Sequence, residues 1–165
     1  IGFITEERKM NGIIWMLKIR ENMSVANLHR LPKRFFMDRK EEHKEVEEQM
    51  ESLRIKAPSM ETPIVQLSGG NQQKVILGKW LMSDPEILFV DEPTKGIDVG
   101  TKADFYKIMS DLTKQGVSIL MVSSDMPELM SMSDRVLVIA GGKIAAELDK
   151  TEISETAIMK AAISN

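Results

Sequence analysis

The spacing of apolar residues divides the chain into a charged, helical first part and a second part in which strands and helices alternate. Residues Ile1 to Thr5 form a short apolar run that ends at a charged cluster, which predicts a strand. A loop is predicted at Asn11-Gly12. From Arg20 to Ser59 the sequence favours helix, and the stretch from Asp38 to Leu53 has the spacing of a lightly buried amphipathic helix.

After Pro63 the pattern is typical of crossover units, in which buried strands follow helices. The first predicted elements are a helix from Asn71 to Met82 capped by Ser68 and a strand from Ile87 to Val90 that is buried on both faces. A helix from Gly100 to Lys114 and a strand from Val117 to Val122 follow, and the residues of this helix predicted to point inward are Ala103, Tyr106, Ile108, Met109 and Leu112. The last elements are strands from Arg135 to Ala140 and from Ile144 to Leu148, joined by Gly141-Gly142, and a helical tail from Thr151 to Ser164. This order predicts an α/β fold with a mostly parallel sheet, an edge hairpin and a helical excursion near its start.

Composition narrows the class of protein. The chain has 165 residues, 42% of them hydrophobic, and 22 basic against 25 acidic residues, which fits one ordinary soluble domain and argues against a nucleic-acid-coating segment. The absence of cysteine excludes disulfides, thiolate metal sites and a cysteine nucleophile. No apolar run approaches the roughly 18–20 residues of a membrane-spanning helix. His29 and His43 lack a metal-binding pattern, so we expect them at the surface.

Two carboxylates, Asp91 and Glu92, directly follow the apolar run from Ile87 to Val90. The carboxyl ends of parallel strands form the ligand crevice of an open α/β sheet. In phosphate chemistry one such carboxylate can hold Mg²⁺ and a second can orient or deprotonate a water. A strand that simply ends in a charged turn would give the same pattern.

A second candidate site lies at Leu67-Ser68-Gly69-Gly70-Asn71-Gln72-Gln73-Lys74. Two glycines after a capping serine let backbone N–H groups approach an anion, and the helix that starts there carries about half a positive charge at its N-terminus. The pattern therefore suits a phosphate, although an ordinary capped helix has the same sequence.

The segments LSGGNQQK, ILFVDEP and Gly96-Ile97-Asp98 together resemble the signature, Walker B and D-loop of ATP-binding cassette (ABC) ATPases, in the family's order. The forms TKGIDVG and VSSDMPEL are most similar to the second cassette of fused double-cassette ATPases that serve bacterial importers of ribose, galactose and xylose. The resemblance extends over nearly the whole length from Ile1 to Leu148. It implies a partial P-loop NTPase core with an α-helical subdomain.

The resemblance also implies roles for individual residues. Ser68, Gly69 and Gly70 would form the phosphate-facing signature with support from Gln72. Asp91 would associate with Mg²⁺ through water, and Glu92 would be the candidate general base. Asp98 would be the D-loop acid that acts across the interface between cassettes. In domain terms, residues 1–22 would hold a core strand and the Q-loop, 23–66 the helical subdomain, 67–150 the rest of the core, and 151–165 a terminal helix.

The sequence departs from the family pattern at three places. It lacks the G-x-x-x-x-G-K-[ST] loop that cradles phosphates, so we expect a C-terminal fragment that binds ATP weakly and is inactive by itself. Ser124 replaces the usual switch histidine, and a serine cannot act as an imidazole. Glu6 replaces the usual Q-loop glutamine, and a glutamate there would repel phosphate unless Mg²⁺ intervened. The last two departures put hydrolysis at this cassette's own site in doubt.

The predicted function is that of an ATPase subunit of a carbohydrate importer, with ATP and Mg²⁺ as cofactors, on the cytoplasmic face of the bacterial membrane. Its expected partners are a companion cassette, a transmembrane permease and, indirectly, an extracytoplasmic sugar-binding protein, with no nucleic acid. Alternatives that remain open are a soluble ABC ATPase outside transport, a module that only mediates interactions, and import of a nucleoside.

Overall fold

The computed structural model describes residues 1–28, 32–33 and 36–163. They divide into two compact units, of which the first covers Ile1–Val122 and the second begins at Ser123. The first unit contains, in chain order, β1 (Gly2–Ile4), a π-helical turn (Arg8–Gly12), α1 (Ile19–Ser24), a 3₁₀ turn (Val25–Asn27), β2 (Pro32–Lys33), β3 (Phe36–Met37), α2 (Arg39–Ser52), a second 3₁₀ turn (Ile64–Gln66), α3 (Gly69–Leu81), β4 (Ile87–Asp91), α4 (Val99–Lys114) and β5 (Ser118–Val122). The π-helical turn takes the place of the loop predicted at Asn11-Gly12.

The main sheet has three parallel strands in the order β1-β4-β5, as the pattern of strands and helices predicts. Its buried face carries Ile4, Leu88 and Val90. The prediction that β4 is buried on both faces is wrong, because Ile87 and Phe89 are 36% and 37% exposed. Helix α3 packs against the face of the sheet that carries Gly2, where an added Cβ would lie close to Trp80 and Leu88. Among the described elements, the apolar residues of the opposite face of the sheet lack equivalent cover.

Helix α3 joins the sheet to the helical part of the unit, since it contacts β1 as well as α1 and α2. Ser68 is its N-cap, as predicted, but the helix begins at Gly69 rather than Asn71. Gly78 allows the close approach of α1 and α2, because a Cβ there would collide with Met23 and lie 3.0 Å from Leu53 Cδ1. The buried residues of α3 form a nearly continuous run: Gly70, Gln72, Gln73, Lys74, Val75, Ile76, Leu77 and Gly78.

Helix α2 is amphipathic as predicted, with Val46 and Leu53 buried. Its N-cap is Asp38, whose side chain accepts hydrogen bonds from two backbone N–H groups of the first turn. Glu42 of this helix is completely buried, which the sequence pattern did not predict. Its carboxylate accepts hydrogen bonds from Ser24 Oγ at 2.7 Å and Arg20 Nη1 at 2.8 Å, which compensates its burial.

Helix α4 begins after its N-cap Asp98 and buries Phe105, Met109 and Leu112. These three positions recur at intervals of four and three residues and so occupy one helical face. Ala103, which we predicted inward, lies off this face and is exposed.

The second unit consists of α5 (Met126–Met132), β6 (Arg135–Ala140), β7 (Lys143–Asp149) and α6 (Glu155–Ile163). Gly141 and Gly142 form the predicted hairpin turn with φ of 56° and 75°. The hairpin is not an edge of the parallel sheet, contrary to the prediction, because β6 and β7 form a two-stranded sheet of their own. Their buried residues Val136 and Val138 pack with Ile158 of α6, so this sheet has its own core.

The predicted helical tail is observed as α6, with Ser164 of that prediction outside the described residues. Within the described ranges, every helix is too short or too polar to cross a membrane. The predicted fold class, an α/β core with a parallel sheet and helices, is confirmed.

Candidate functional site

Parallel pairing of β1 with β4 brings Glu6 to the same edge of the sheet as Asp91 and Glu92. Asp91 ends β4, and the Glu92 N–H donates to Val122 O at 2.8 Å, which continues the pairing with the next strand. Glu92 has a φ of 47°, in the left-handed region that few non-glycine residues adopt. Its carbonyl accepts the Lys95 N–H at 3.2 Å, so the chain turns sharply directly after the carboxylates.

This turn lets Lys95 form an ion pair with Glu6, with 2.5 Å between Nζ and Oε1. The Glu6 carboxylate raises the pKa of Lys95, and Glu92 and Asp91 add smaller contributions in the same direction. The ammonium group therefore interacts with all three carboxylates that the family resemblance singles out at this edge.

The donor set at this edge consists of carboxylate oxygens, which are the ligands that Mg²⁺ prefers. Within the ranges that the structure describes, no group of three or more His, Asp or Glu side chains is arranged to hold a metal by itself. Mg²⁺ at phosphate-transfer sites typically takes only one or two carboxylates and completes its shell with water and substrate phosphates. Asp91 and Glu92 therefore fit such an ion. Of the two histidines, His43 is exposed as expected and His29 lies outside the described residues.

The signature residues lie at the start of α3. Ser68 Oγ accepts hydrogen bonds from the Asn71 N–H at 3.4 Å and from Asn71 Nδ2 at 3.0 Å, and the serine is exposed. Asn71 Oδ1 in turn accepts the Lys56 N–H at 2.8 Å. The start of the helix is therefore fixed at an exposed end, where its N–H groups are available to an anion.

Gly70 links the signature to the D-loop position. A Cβ at Gly70 would overlap Thr101 Cγ2 and lie 3.0 Å from Thr101 Cβ, so the starts of α3 and α4 are in direct contact. Thr101 donates to Asp98 twice, from its N–H at 3.0 Å and from Oγ1 at 2.8 Å. These two bonds lower the pKa of Asp98. Asp98 is thus a helix cap and is connected to the signature through Thr101.

Gln72 is buried and points back to the segment that precedes the signature. Its Nε2 donates to Ile64 O at 3.3 Å and to Leu67 O at 3.2 Å. These bonds hold the backbone immediately before Ser68.

Ser124 belongs to the second unit and is exposed between two residues that are held in place. Ser123 Oγ donates to Glu128 Oε2 at 2.5 Å and accepts the Asp125 N–H at 3.0 Å. Asp125 caps α5 through the Glu128 N–H at 3.2 Å. Glu128 is 2% exposed, and its Oε1 is buried without a hydrogen-bond partner in the structure.

The predicted residues thus form two clusters in the first unit, one with Glu6, Asp91 and Glu92 and one with Ser68, Gly69, Gly70, Gln72 and Asp98. The sequence analysis missed two residues that organise these clusters, Lys95 and Thr101. It also missed Glu128, which holds Ser123 next to Ser124 in the second unit. Thr101 and Glu128 each stand three residues after a capping aspartate, which is the spacing of capping interactions and could have indicated them.

The family model for the ABC transporter matches residues 1–95. A ribose import ATP-binding protein of Clostridium perfringens strain SM101 is 45% identical over 164 residues, which are 99% of this chain and 33% of that protein. A ribose import ATP-binding protein of Bacillus cereus strain ATCC 14579 is 47% identical over 159 residues, which are 96% of this chain and 32% of that protein. The chain thus spans about a third of the length of these curated relatives.

Solved structures agree at the level of the fold. A dimeric bacterial ABC transporter cassette matches with a TM-score of 0.76 and 24% identity, over 91% of this chain and 62% of that one. An ATP-binding cassette of another ABC transporter matches with a TM-score of 0.78 and 20% identity, over 98% of this chain and 68% of that one. The chain belongs to the ABC transporter family, as its motifs indicate.

Proposed function

We propose that the chain is the C-terminal part of the second nucleotide-binding cassette of a carbohydrate importer. The names of its relatives support this proposal, since they are ribose import ATP-binding proteins over almost the full length of this chain. The structural observation that carries it is the clustering of Glu6, Asp91 and Glu92 at one edge of the parallel sheet.

In this proposal the edge with Asp91 and Glu92 takes MgATP. Asp91 would hold Mg²⁺, and Glu92 would orient or deprotonate a water. Bound MgATP would supply the phosphate that is transferred. Because the chain has Ser124 where the family pattern has a histidine, and a serine cannot act as an imidazole, we expect this cassette to hydrolyse ATP slowly.

The cluster at the starts of α3 and α4 serves the companion cassette. Ser68, Gly69 and Gly70 present N–H groups at an exposed helix start, where they can complete a phosphate site on a second protein surface. Asp98 is connected to them through Thr101 and would transmit the state of that interface.

The proposed partners are this companion cassette, a permease in the membrane and an extracytoplasmic sugar-binding protein, and the proposed location is the cytoplasmic face of the bacterial membrane. Residues 23–66 would form the helical subdomain that meets the permease. Residues 1–22 and 67–150 would form the core, and 151–165 a terminal helix, although the observed boundary between compact units is at Val122.

The test compares two variants of the full-length protein in an ATP-driven sugar uptake assay. Ser68→Arg should abolish uptake, because it blocks the signature that serves the companion site, whereas Glu92→Gln should cause a smaller loss. Equal losses would contradict the division of labour and indicate two competent sites.

Ser154 provides a matched control for the arginine substitution. It is also an exposed serine before a helix, and its Oγ accepts the Ala157 N–H at 3.2 Å. Ser154→Arg removes a comparable cap. Uptake should survive this change, and a loss equal to that of Ser68→Arg would show that cap loss alone explains the effect.

A further inference from the structure

The carboxylate at position 6 creates an electrostatic problem for the proposed nucleotide edge. With Asp91 and Glu92 it brings three negative charges to the place where a polyphosphate would have to approach. A glutamine at this position would bring no charge. The structure contains a feature that compensates for this difference.

Lys95 supplies the compensating charge, and its position is set by the backbone. The Lys95 N–H donates to Glu92 O at 3.2 Å, and the next part of the turn is held by the Ile97 N–H, which donates to Thr94 O at 3.2 Å. Thr94, which lies in this turn directly before Lys95, is only 2% exposed, so its burial fixes the position of the turn. This turn places Lys95 Nζ 2.5 Å from Glu6 Oε1.

Both members of the pair remain accessible to a ligand, with side-chain exposures of 60% for Lys95 and 43% for Glu6. An exposed pair of this kind adds little to folding stability. The pair has a larger effect on the local electrostatic potential, because the Lys95 ammonium group neutralises one of the three carboxylates at the proposed nucleotide edge.

We propose that Lys95 is a positioning residue that neutralises Glu6 and thereby allows MgATP to approach the carboxyl ends of β1 and β4. This inference rests on the proposed function of that edge. It makes Glu6 and Lys95 a dependent pair, in which loss of the lysine is harmful only while the glutamate is present.

The test measures the Kd of MgATP by titration calorimetry in the full-length protein, with the companion cassette's own nucleotide site disabled by mutation. Lys95→Met should weaken binding about two- to fivefold, the range expected of one exposed charge interaction, and the loss should shrink at high salt. Glu6→Gln in the Lys95→Met background should restore most of the affinity. Lys95→Arg, which keeps the charge, should bind nearly as the wild type does.

Lys114→Met is the matched control, because Lys114 forms a similarly exposed ion pair with Asp111 at 3.0 Å within α4. It should leave the Kd unchanged. Equal losses in the two methionine variants, or no rescue by Glu6→Gln, would overturn the role of Lys95. Absence of MgATP binding in the wild type would instead overturn the proposed nucleotide edge, and this inference with it.

Discussion

The contact between the starts of α3 and α4 predicts opposite effects of the same substitution at two glycines. Gly70 and Gly100 both stand two residues after an N-cap, Ser68 in one helix and Asp98 in the other. A Cβ at Gly100 would meet only Asp98 Oδ1, at an ordinary 3.5 Å. A Cβ at Gly70 would overlap Thr101. Gly100→Ala should therefore stabilise the protein and Gly70→Ala should destabilise it.

The magnitude follows from the difference between the two sites. Replacing glycine by alanine in an unstrained helical position gains about 0.4–1 kcal/mol, and this gain is common to both variants. Overpacking costs typically about 1–3 kcal/mol. Thr101 cannot easily rotate away, because its Oγ1 donates to Asp98 at 2.8 Å and rotation would break that bond. The two variants should thus differ by about 1–3 kcal/mol in the free energy of unfolding.

Urea unfolding followed by the fluorescence of Trp15 and Trp80 measures this difference. With an m-value of about 2 kcal/mol/M, the midpoints should be roughly 1 M apart. Gly70→Ala combined with Thr101→Ser should recover part of the loss, since the serine lacks the methyl group and keeps the hydroxyl. Equal midpoints for Gly70→Ala and Gly100→Ala would refute the inferred contact.

Two further predictions concern buried and paired carboxylates. Hydrogen bonds from Arg20, and to a smaller extent from Lys18, lower the pKa of Glu61 from 4.5 to about 2. The ionised Glu61 therefore contributes its full stabilisation above pH 4.5, and this contribution is lost as the pH falls toward 2. In acid unfolding, Glu61→Gln should flatten the pH dependence of stability between these values, and an unchanged slope would contradict the pairing. Glu128→Gln keeps an acceptor for the hydrogen bond from Ser123 Oγ, whereas Glu128→Leu removes that acceptor. The leucine variant should therefore be less stable than the glutamine variant by about 1–3 kcal/mol in thermal unfolding. Equal stability of the two variants would argue against the hydrogen bond from Ser123.

Local patterns in the sequence were sufficient for most of the elements. Period-2 and period-3.6 spacing, together with the N-cap serine before Gly69 and the Gly141-Gly142 turn, predicted most of the helices and strands to within a few residues. The strands β2 and β3, which lie in a stretch predicted to favour helix, and the helix α5 were not predicted. The extent of burial was predicted less well. An apolar run such as Ile87 to Val90 shows that a strand can be covered, but it does not show on how many faces it is covered.

The candidate site was predictable where its chemistry lies in contiguous motifs, as for Asp91, Glu92 and the signature glycines. Interactions between residues far apart in the chain could not be predicted in this way. The Lys95–Glu6 pair spans 89 residues, and the Glu42 carboxylate is satisfied by Arg20 from a different helix. Such pairings depend on the register of strands and the packing of helices, which a single sequence does not specify.

The apolar face of the main sheet also has a practical consequence for handling this polypeptide. Phe3, Phe89 and Leu120 stand side by side across three hydrogen-bonded strands, and each is more than a third exposed. A flat row of this kind favours self-association and binds hydrophobic dyes. Purification of the 165-residue chain would therefore call for low concentrations or mild detergent, and light-scattering checks should precede any measurement of binding.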